Sequence, residues 1–180
     1  DWKTLYTDYA DFSDEWISLA TLRTAQKTLE RGFTTIRVMG SLSRGYGLID
    51  VREAINMNYF KGSRLVVSPH SYSATGGHGD LSQFLNRNSK VSEVLRSPSV
   101  GTGVDYFVQA TRNDIKYGAD FIKIIVSGGF STPNDTPYEQ QLNDSELIGI
   151  ISTAKERNIP VTAHAYTAKI IKRLISYGVS

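Results

Sequence analysis

Four short runs rich in apolar and β-branched residues, Thr34–Met39, Leu65–Val67, Phe121–Val126 and Val161–His164, punctuate the chain, and each is followed by a segment of helical periodicity. Strand-then-helix repeats with right-handed crossovers build a parallel sheet covered by helices. The fold class is therefore α/β, and the choice narrows to a parallel (β/α) barrel of TIM type or a doubly wound open sheet. Helix boundaries are also marked. Ser13 or Asp14 can cap a helix reaching Arg31, with Gly32 as its stop. A second helix is expected from about Leu48 to Phe60, and a third opens at residues 101–105 and ends at Tyr117-Gly118. Asn143 and Glu146 form a capping box, and Leu142 with Leu147 a hydrophobic staple, for a helix ending near Asn158. The last helix runs from Ala168 to Tyr177 and stops at Gly178.

Lys123 stands in the middle of the run Phe121–Val126. Residues 121, 123 and 125 share one face of a strand, and a strand with helices outside and a barrel interior inside is apolar on both faces. An unpaired ammonium in such a place is costly, so Lys123 must be neutralised, paired or modified. One solution is snorkelling from the strand end or pairing with a carboxylate. The other is that burial lowers its pKa and the neutral amine takes up carbon dioxide. The resulting carbamate is a carboxylate on a long stem that can bridge two divalent cations. His164 ends the next run, and inward residues at matched heights on neighbouring strands about 4.8 Å apart can share a metal. Tyr166 would keep to the same face if the strand continued, its phenol placed to polarise a substrate carbonyl; otherwise it is an interfacial tyrosine.

Three features lie just past strand ends: His70 with the loop Ser73–Asp80, Ser127-Gly128-Gly129, and His164 with Tyr166. In a β/α barrel that is the active-site face. Glycines flank His78 so densely that its loop must be tightly turned or closely approached. Ser127-Gly128-Gly129 either exposes amides to a substrate carboxylate or simply turns the chain. It lacks the spacing of phosphate-binding loops.

Composition removes several classes. The 180 residues are 40% hydrophobic and 21% charged, a globular balance in one domain's length. Twenty basic and eighteen acidic residues are dispersed without a basic block, which argues against a nucleic-acid partner. No long apolar segment suggests a membrane span. The absence of cysteine excludes disulfides and thiolate zinc sites, so a metal would need histidine, carboxylate or a modified side chain. It leaves the compartment open.

The motifs Gly32-Phe33-Thr34-Thr35-Ile36-Arg37, Thr75-Gly76-Gly77-His78-Gly79-Asp80, Gly118-Ala119-Asp120-Phe121-Ile122-Lys123-Ile124, Ser127-Gly128-Gly129 and Ala163-His164-Ala165-Tyr166 resemble, in order and spacing, those of the amidohydrolase superfamily. The similar branch is the imidazolonepropionase-like one, with prolidase-type, arginine carboxypeptidase-type and ochratoxin-hydrolysing enzymes. The resemblance covers roughly residues 15 to 180. It implies a (β/α)8 barrel with two divalent metals, zinc by ligand type, and amide or peptide hydrolysis by a hydroxide bridging them. Lys123 matches the carboxylated bridging lysine of the fourth strand and His164 a metal-ligand histidine of the fifth. Tyr166 and His78 match catalytic positions facing the substrate, and Ser127, Gly128 and Gly129 a substrate-binding segment. Val38 stands where an aspartate often follows the strand-two arginine, and Arg37 is given no catalytic role.

The family's His-x-His pair, later histidine and general-base aspartate have no counterpart among these residues, so residues 1–180 are read as strands two to five of one metal-dependent hydrolase barrel domain, inactive alone. The expected substrate is a dipeptide or N-acyl amino acid, and a homo-oligomer is open. A catalytically degenerate ligand-binding relative, or another reaction of the superfamily such as cyclic amide hydrolysis, is the alternative. The polar stretch Asn86–Ser99 is expected to be a substrate-side insertion.

Overall fold

The computed structural model describes residues 12–41, 44–84 and 97–179; most of the expected insertion at Asn86–Ser99 lies outside them. Helix α1 (Asp14–Glu30) begins where Ser13 accepts a hydrogen bond from the Trp16 amide, and Gly32, at φ +92°, turns the chain into strand β1 (Thr35–Met39). Helix α2 (Gly47–Asn56) is shorter than the periodicity predicts. Asn58 adopts φ +60°, the left-handed conformation that asparagine tolerates, and this ends the helix before Phe60.

Strand β2 (Arg64–Ser68) pairs in parallel with β1 along its whole length. The sequence reading ends this strand at Pro69, but after a break at Pro69-His70 it resumes as β3 (Ser71–Ala74). Proline has no N–H to give the ladder, so the strand must break there. Ser68 bridges the gap: its hydroxyl accepts from the Lys123 amide at 3.0 Å and donates to the His70 carbonyl at 2.8 Å. A two-residue strand, β4 (Val100–Gly101), lies beside β3 on the edge opposite β5. Then come helix α3 (Val104–Lys116), strand β5 (Ile122–Ile125), helix α4 (Asp144–Lys155), strand β6 (Val161–His164) and helix α5 (Ala168–Tyr177).

All pairings between named strands are parallel. Asp120 stitches the two halves: its amide donates to the Val67 carbonyl at 2.8 Å, and its carboxylate accepts from the Val67 amide at 2.7 Å and from buried Arg52 at 2.8 Å. The result is one arc in the order β1, β2/β3, β5, β6, the expected excerpt of a barrel. The capping box at Asn143 and Glu146 is formed, and Glu146 also accepts from the Gly103 amide at 2.8 Å, tying the starts of α3 and α4 together.

Apolar burial lies between the arc and its helices. Leu65 and Val67 meet Ala25, Leu48, Ile49 and Val51 from α1 and α2. Ile122, Ile124 and Val161 meet Phe107, Leu147, Ile150, Ile170 and Leu174 from α3, α4 and α5. Both β5 isoleucines in that core are fully buried, whereas Lys123 and Ile125 are only partly so. These two belong to the concave face.

Candidate functional site

The ladder defines how the concave face is arranged. Lys123 pairs in register with Ser71 on one side and Thr162 on the other, and Ile125 with His164. Lys123, Ile125, Thr162 and His164 therefore share a face, as expected, but not a common height. His164 stands two residues further along, about 6.6 Å at 3.3 Å per residue. An extended lysine stem crosses that step, so the pair converges through the length of the side chain.

Burial, and secondarily the positive charge of Arg37 on β1, lower the Lys123 ammonium from its ordinary 10.5 to about 8. No ion pair to Lys123 forms among the described residues. Of the solutions posed by the sequence, pairing finds no carboxylate among the described residues, and the lowered pKa brings the neutral amine within reach just above pH 7. Arg37 itself lies with its guanidinium 4.2 Å from the centre of the Phe121 ring. Burial likewise lowers the His164 pKa; His78 and Lys123 act in the same direction, against the Gly128 carbonyl and Asp135. His164 is thus neutral near pH 7 and offers a lone pair. Its Nε2 lies 3.4 Å from the Gly128 carbonyl, too long to tie that nitrogen firmly.

A lysine inclined to lose its proton beside a neutral imidazole fits a divalent-cation site once carbon dioxide has converted the amine to a carbamate. Lys123 and His164 would hold the cation. No group of three or more histidines or carboxylates capable of holding a metal occurs among the described residues, so further ligands would have to come from beyond them.

The His78 loop closes over this pair. The His78 and His164 rings stack, with centroids 4.9 Å apart, and Tyr166 sets its ring edge-on to His164 at 4.9 Å. Phe130 in turn meets Tyr166 at 5.2 Å. β6 ends at His164, so Tyr166 reaches the site from the following turn, about half exposed. Beside His78, a cleft of about 280 Å³ is lined by Ser71, Ser82, Ser99 and Ile125 among others. Asp80 shapes the loop by accepting from the Gly76 amide at 2.9 Å. The glycine at 129 answers a close approach, because a Cβ there would run into the His78 ring.

Ser127-Gly128-Gly129 turns the chain, and part of its backbone is bonded within the protein. Two of its amides are engaged, Gly128 with the Glu139 carbonyl at 3.2 Å and Gly129 with Asp135 at 3.3 Å, while Ser127 only shares, at 3.4 Å, the His164 carbonyl that takes the Val126 amide at 3.0 Å. The Gly128 and Gly129 amides are therefore taken, whereas the buried Ser127 hydroxyl has no hydrogen-bond partner among the described residues. The segment turns the chain and seats His78.

His70 must be moved away from the site. It lies on the helix side, 2% exposed, with Nδ1 2.8 Å from Asp114 of α3 and its ring edge-on to Tyr46. The break at Pro69 changes the strand's alternation, which simple counting does not anticipate. Conversely, sequence reasoning missed Thr132, Asp135 and Gln141. His78 Nδ1 lies 2.6 Å from Thr132 Oγ1, Thr132 donates to Asp135 at 2.7 Å, and Gln141 both accepts from the His78 amide at 2.8 Å and donates to Asp135 at 3.2 Å. The available signal was the turn Thr132-Pro133-Asn134-Asp135: proline suits the second position of a turn, and Asn134 adopts φ +64° at the third. That turn sets Thr132 and Asp135 side by side.

The sequence profile of the amidohydrolase family matches residues 3–178. The chain belongs to the amidohydrolase family. It is 30% identical over 162 residues to ochratoxinase of Aspergillus niger, an alignment covering 84% of this chain and 33% of that protein. Among solved structures, it is similar to a Xaa-Pro dipeptidase with methionine bound in the active site: TM-score 0.75, 29% identity, 91% of this chain and 39% of that one. It is also similar to a prolidase complexed with N-methylphosphonate-L-proline: TM-score 0.78, 30% identity, 97% of this chain and 42% of that one. The chain thus spans about a third of the length of the curated relative. The arc of parallel strands is part of the TIM-type barrel of these amidohydrolases.

Proposed function

We propose that this chain supplies the strand-two-to-strand-five portion of a metal-dependent amide hydrolase acting on a dipeptide or N-acyl amino acid. The observation that carries the reading is Lys123, an inward lysine with a lowered pKa and no ion-pair partner among the described residues, beside neutral His164. Family membership and the names of the relatives, an ochratoxinase, a Xaa-Pro dipeptidase and a prolidase, point the same way.

Lys123, as a carbamate, and His164 would hold two divalent cations, zinc by donor type. When bound, such cations supply a Lewis acid and a nucleophilic water near neutral pH. The rest falls to side chains. Tyr166 would direct its hydroxyl at the oxygen that gains charge as the amide carbon becomes tetrahedral. His78, packed on His164, would contact the substrate at the other side of the site. Phe130 and Tyr166 form an aromatic wall at the mouth, suited to an apolar substrate side chain. The substrate's free carboxylate would lie near Ser127, whose buried hydroxyl has no hydrogen-bond partner among the described residues.

The test is to load the full-length protein with zinc and bicarbonate, screen it against dipeptides and N-acyl amino acids, and measure bound metal. Hydrolysis in the wild type and loss of most bridging metal in Lys123→Ala are expected. Full metal occupancy with unchanged turnover in that variant would refute the assignment.

A further inference from the structure

Asp135 is a buried carboxylate, its side chain 1% exposed, that accepts on every side: from Thr132 Oγ1 at 2.7 Å, from the Gly129 amide at 3.3 Å and from Gln141 Nε2 at 3.2 Å. The Gln141 orientation is fixed because its oxygen takes the His78 amide at 2.8 Å. Thr132 has one hydroxyl proton, and a carboxylate can only accept, so that proton points to Asp135. The Thr132 oxygen, 2.6 Å from His78 Nδ1, must then be the acceptor in that second bond. Asp135 Oδ2 lies 3.4 Å from the same nitrogen and favours a proton there as well. His78 Nδ1 is left with no role except donor. Nε2 has no hydrogen-bond partner among the described residues, and the side chain is 18% exposed.

We propose that Thr132 and Asp135 are positioning residues that hold neutral His78 in the Nδ1–H tautomer, so that Nε2 is presented to the site as an acceptor. The tautomer rests on hydrogen-bond geometry alone; its consequence for turnover rests on the amide-hydrolase reading above. The relay also fixes the ring plane, since the His78 ring stacks on His164 and closely approaches Gly129. Partners that orient a metal-ligating histidine typically matter about 10–100-fold when removed, and a loss of the same order is expected for a histidine held against such a ligand.

The test uses full-length, zinc-loaded protein labelled with 15N-histidine, with the His78 signals assigned by their loss in His78→Asn. Long-range proton–nitrogen correlation should show Nδ1 protonated and Nε2 bare in the wild type. Thr132→Val should abolish this preference and lower kcat about 10–100-fold with little change in KM, and Thr132→Ser should restore both. If Thr132→Val does not fold, Asp135→Asn serves instead, because it frees the Thr132 proton to point at His78 and so loses the same preference. An Nε2–H wild type, or a preference that survives in Thr132→Val and Asp135→Asn, would overturn the relay. The expected tautomers with wild-type kcat in the variants would overturn the positioning role. A wild type that hydrolyses nothing would sink the amide-hydrolase reading while leaving the tautomer result to decide the relay.

Discussion

Asp114→Ala should be among the most destabilising single changes in this chain, and the loss can be worked from its contacts. Asp114 and His70 are each 2% exposed and 2.8 Å apart, and the Tyr46 hydroxyl donates to the same Asp114 oxygen at 3.2 Å. Burial first, and the charge of Asp114 next, raise the pKa of both Tyr46 and Tyr72, so both phenols stay protonated at any ordinary pH. A hydrogen bond to a charged group contributes about 1.5–3 kcal/mol, and two are lost together. Truncation also leaves the buried His70 Nδ1 and the Tyr46 hydroxyl without their acceptor, at a cost of about 1–3 kcal/mol for each unsatisfied group. These are two views of one loss, so the expected destabilisation is about 3–5 kcal/mol and not their sum. Asp114→Asn keeps the shape and one acceptor, and should lose only about 1–2 kcal/mol. Urea unfolding of the full-length protein, followed by far-ultraviolet circular dichroism at constant m, measures both. Because the network lies on the helix side, folded Asp114→Ala should keep its turnover. A loss below about 1 kcal/mol, the ordinary effect of a point change, would refute the network's structural weight.

Two further expectations concern the concave face. Lys123 titrates near 8 when folded and at 10.5 when unfolded, so in metal- and bicarbonate-free solution the unfolded chain holds the extra proton between those values. Stability should therefore rise as pH climbs from about 8 to 10.5, and Lys123→Met should lack that rise in a series of urea titrations; equal slopes in the two proteins would contradict the lowered pKa. Gly129→Ala adds a Cβ that runs into the His78 ring. The displaced ring should reduce kcat/KM by about 10–100-fold, and wild-type kinetics in this variant would show that His78 is not needed where it sits.

How much of this was legible before the structure depends on whether each signal is local. The capping box at Asn143 and Glu146, the Gly32 turn and the Gly178 stop are written in adjacent residues, and all three form. The inward direction of Lys123 and His164 follows from alternation within uninterrupted strands, and it holds. Alternation fails at Pro69, where a missing N–H breaks the strand and His70 comes to rest on the helix side, facing Asp114. Counting along a strand also could not give the two-residue offset between Lys123 and His164, because register is a relation between strands. The Thr132–Asp135 relay was hidden for a related reason. Its turn chemistry is local, but its partner His78 is 54 residues away.

The two histidines of the third strand and its loop show why a His–Asp pair alone does not mark an active site. His70 and His78 each have Nδ1 near a buried carboxylate, at 2.8 Å and 3.4 Å. Distance would rank His70 first. What separates them is the other nitrogen. His70 Nε2 is buried with no hydrogen-bond partner among the described residues, and its ring serves to join strand to helix. His78 is partly exposed, with Nε2 free among the described residues and its ring against His164. A histidine can pass a proton or grip a substrate only if one nitrogen is held by the protein and the other is reachable. In this chain that condition selects His78, and it makes Gly129 intelligible: a side chain there would occupy the room the held ring needs beside His164, the candidate ligand.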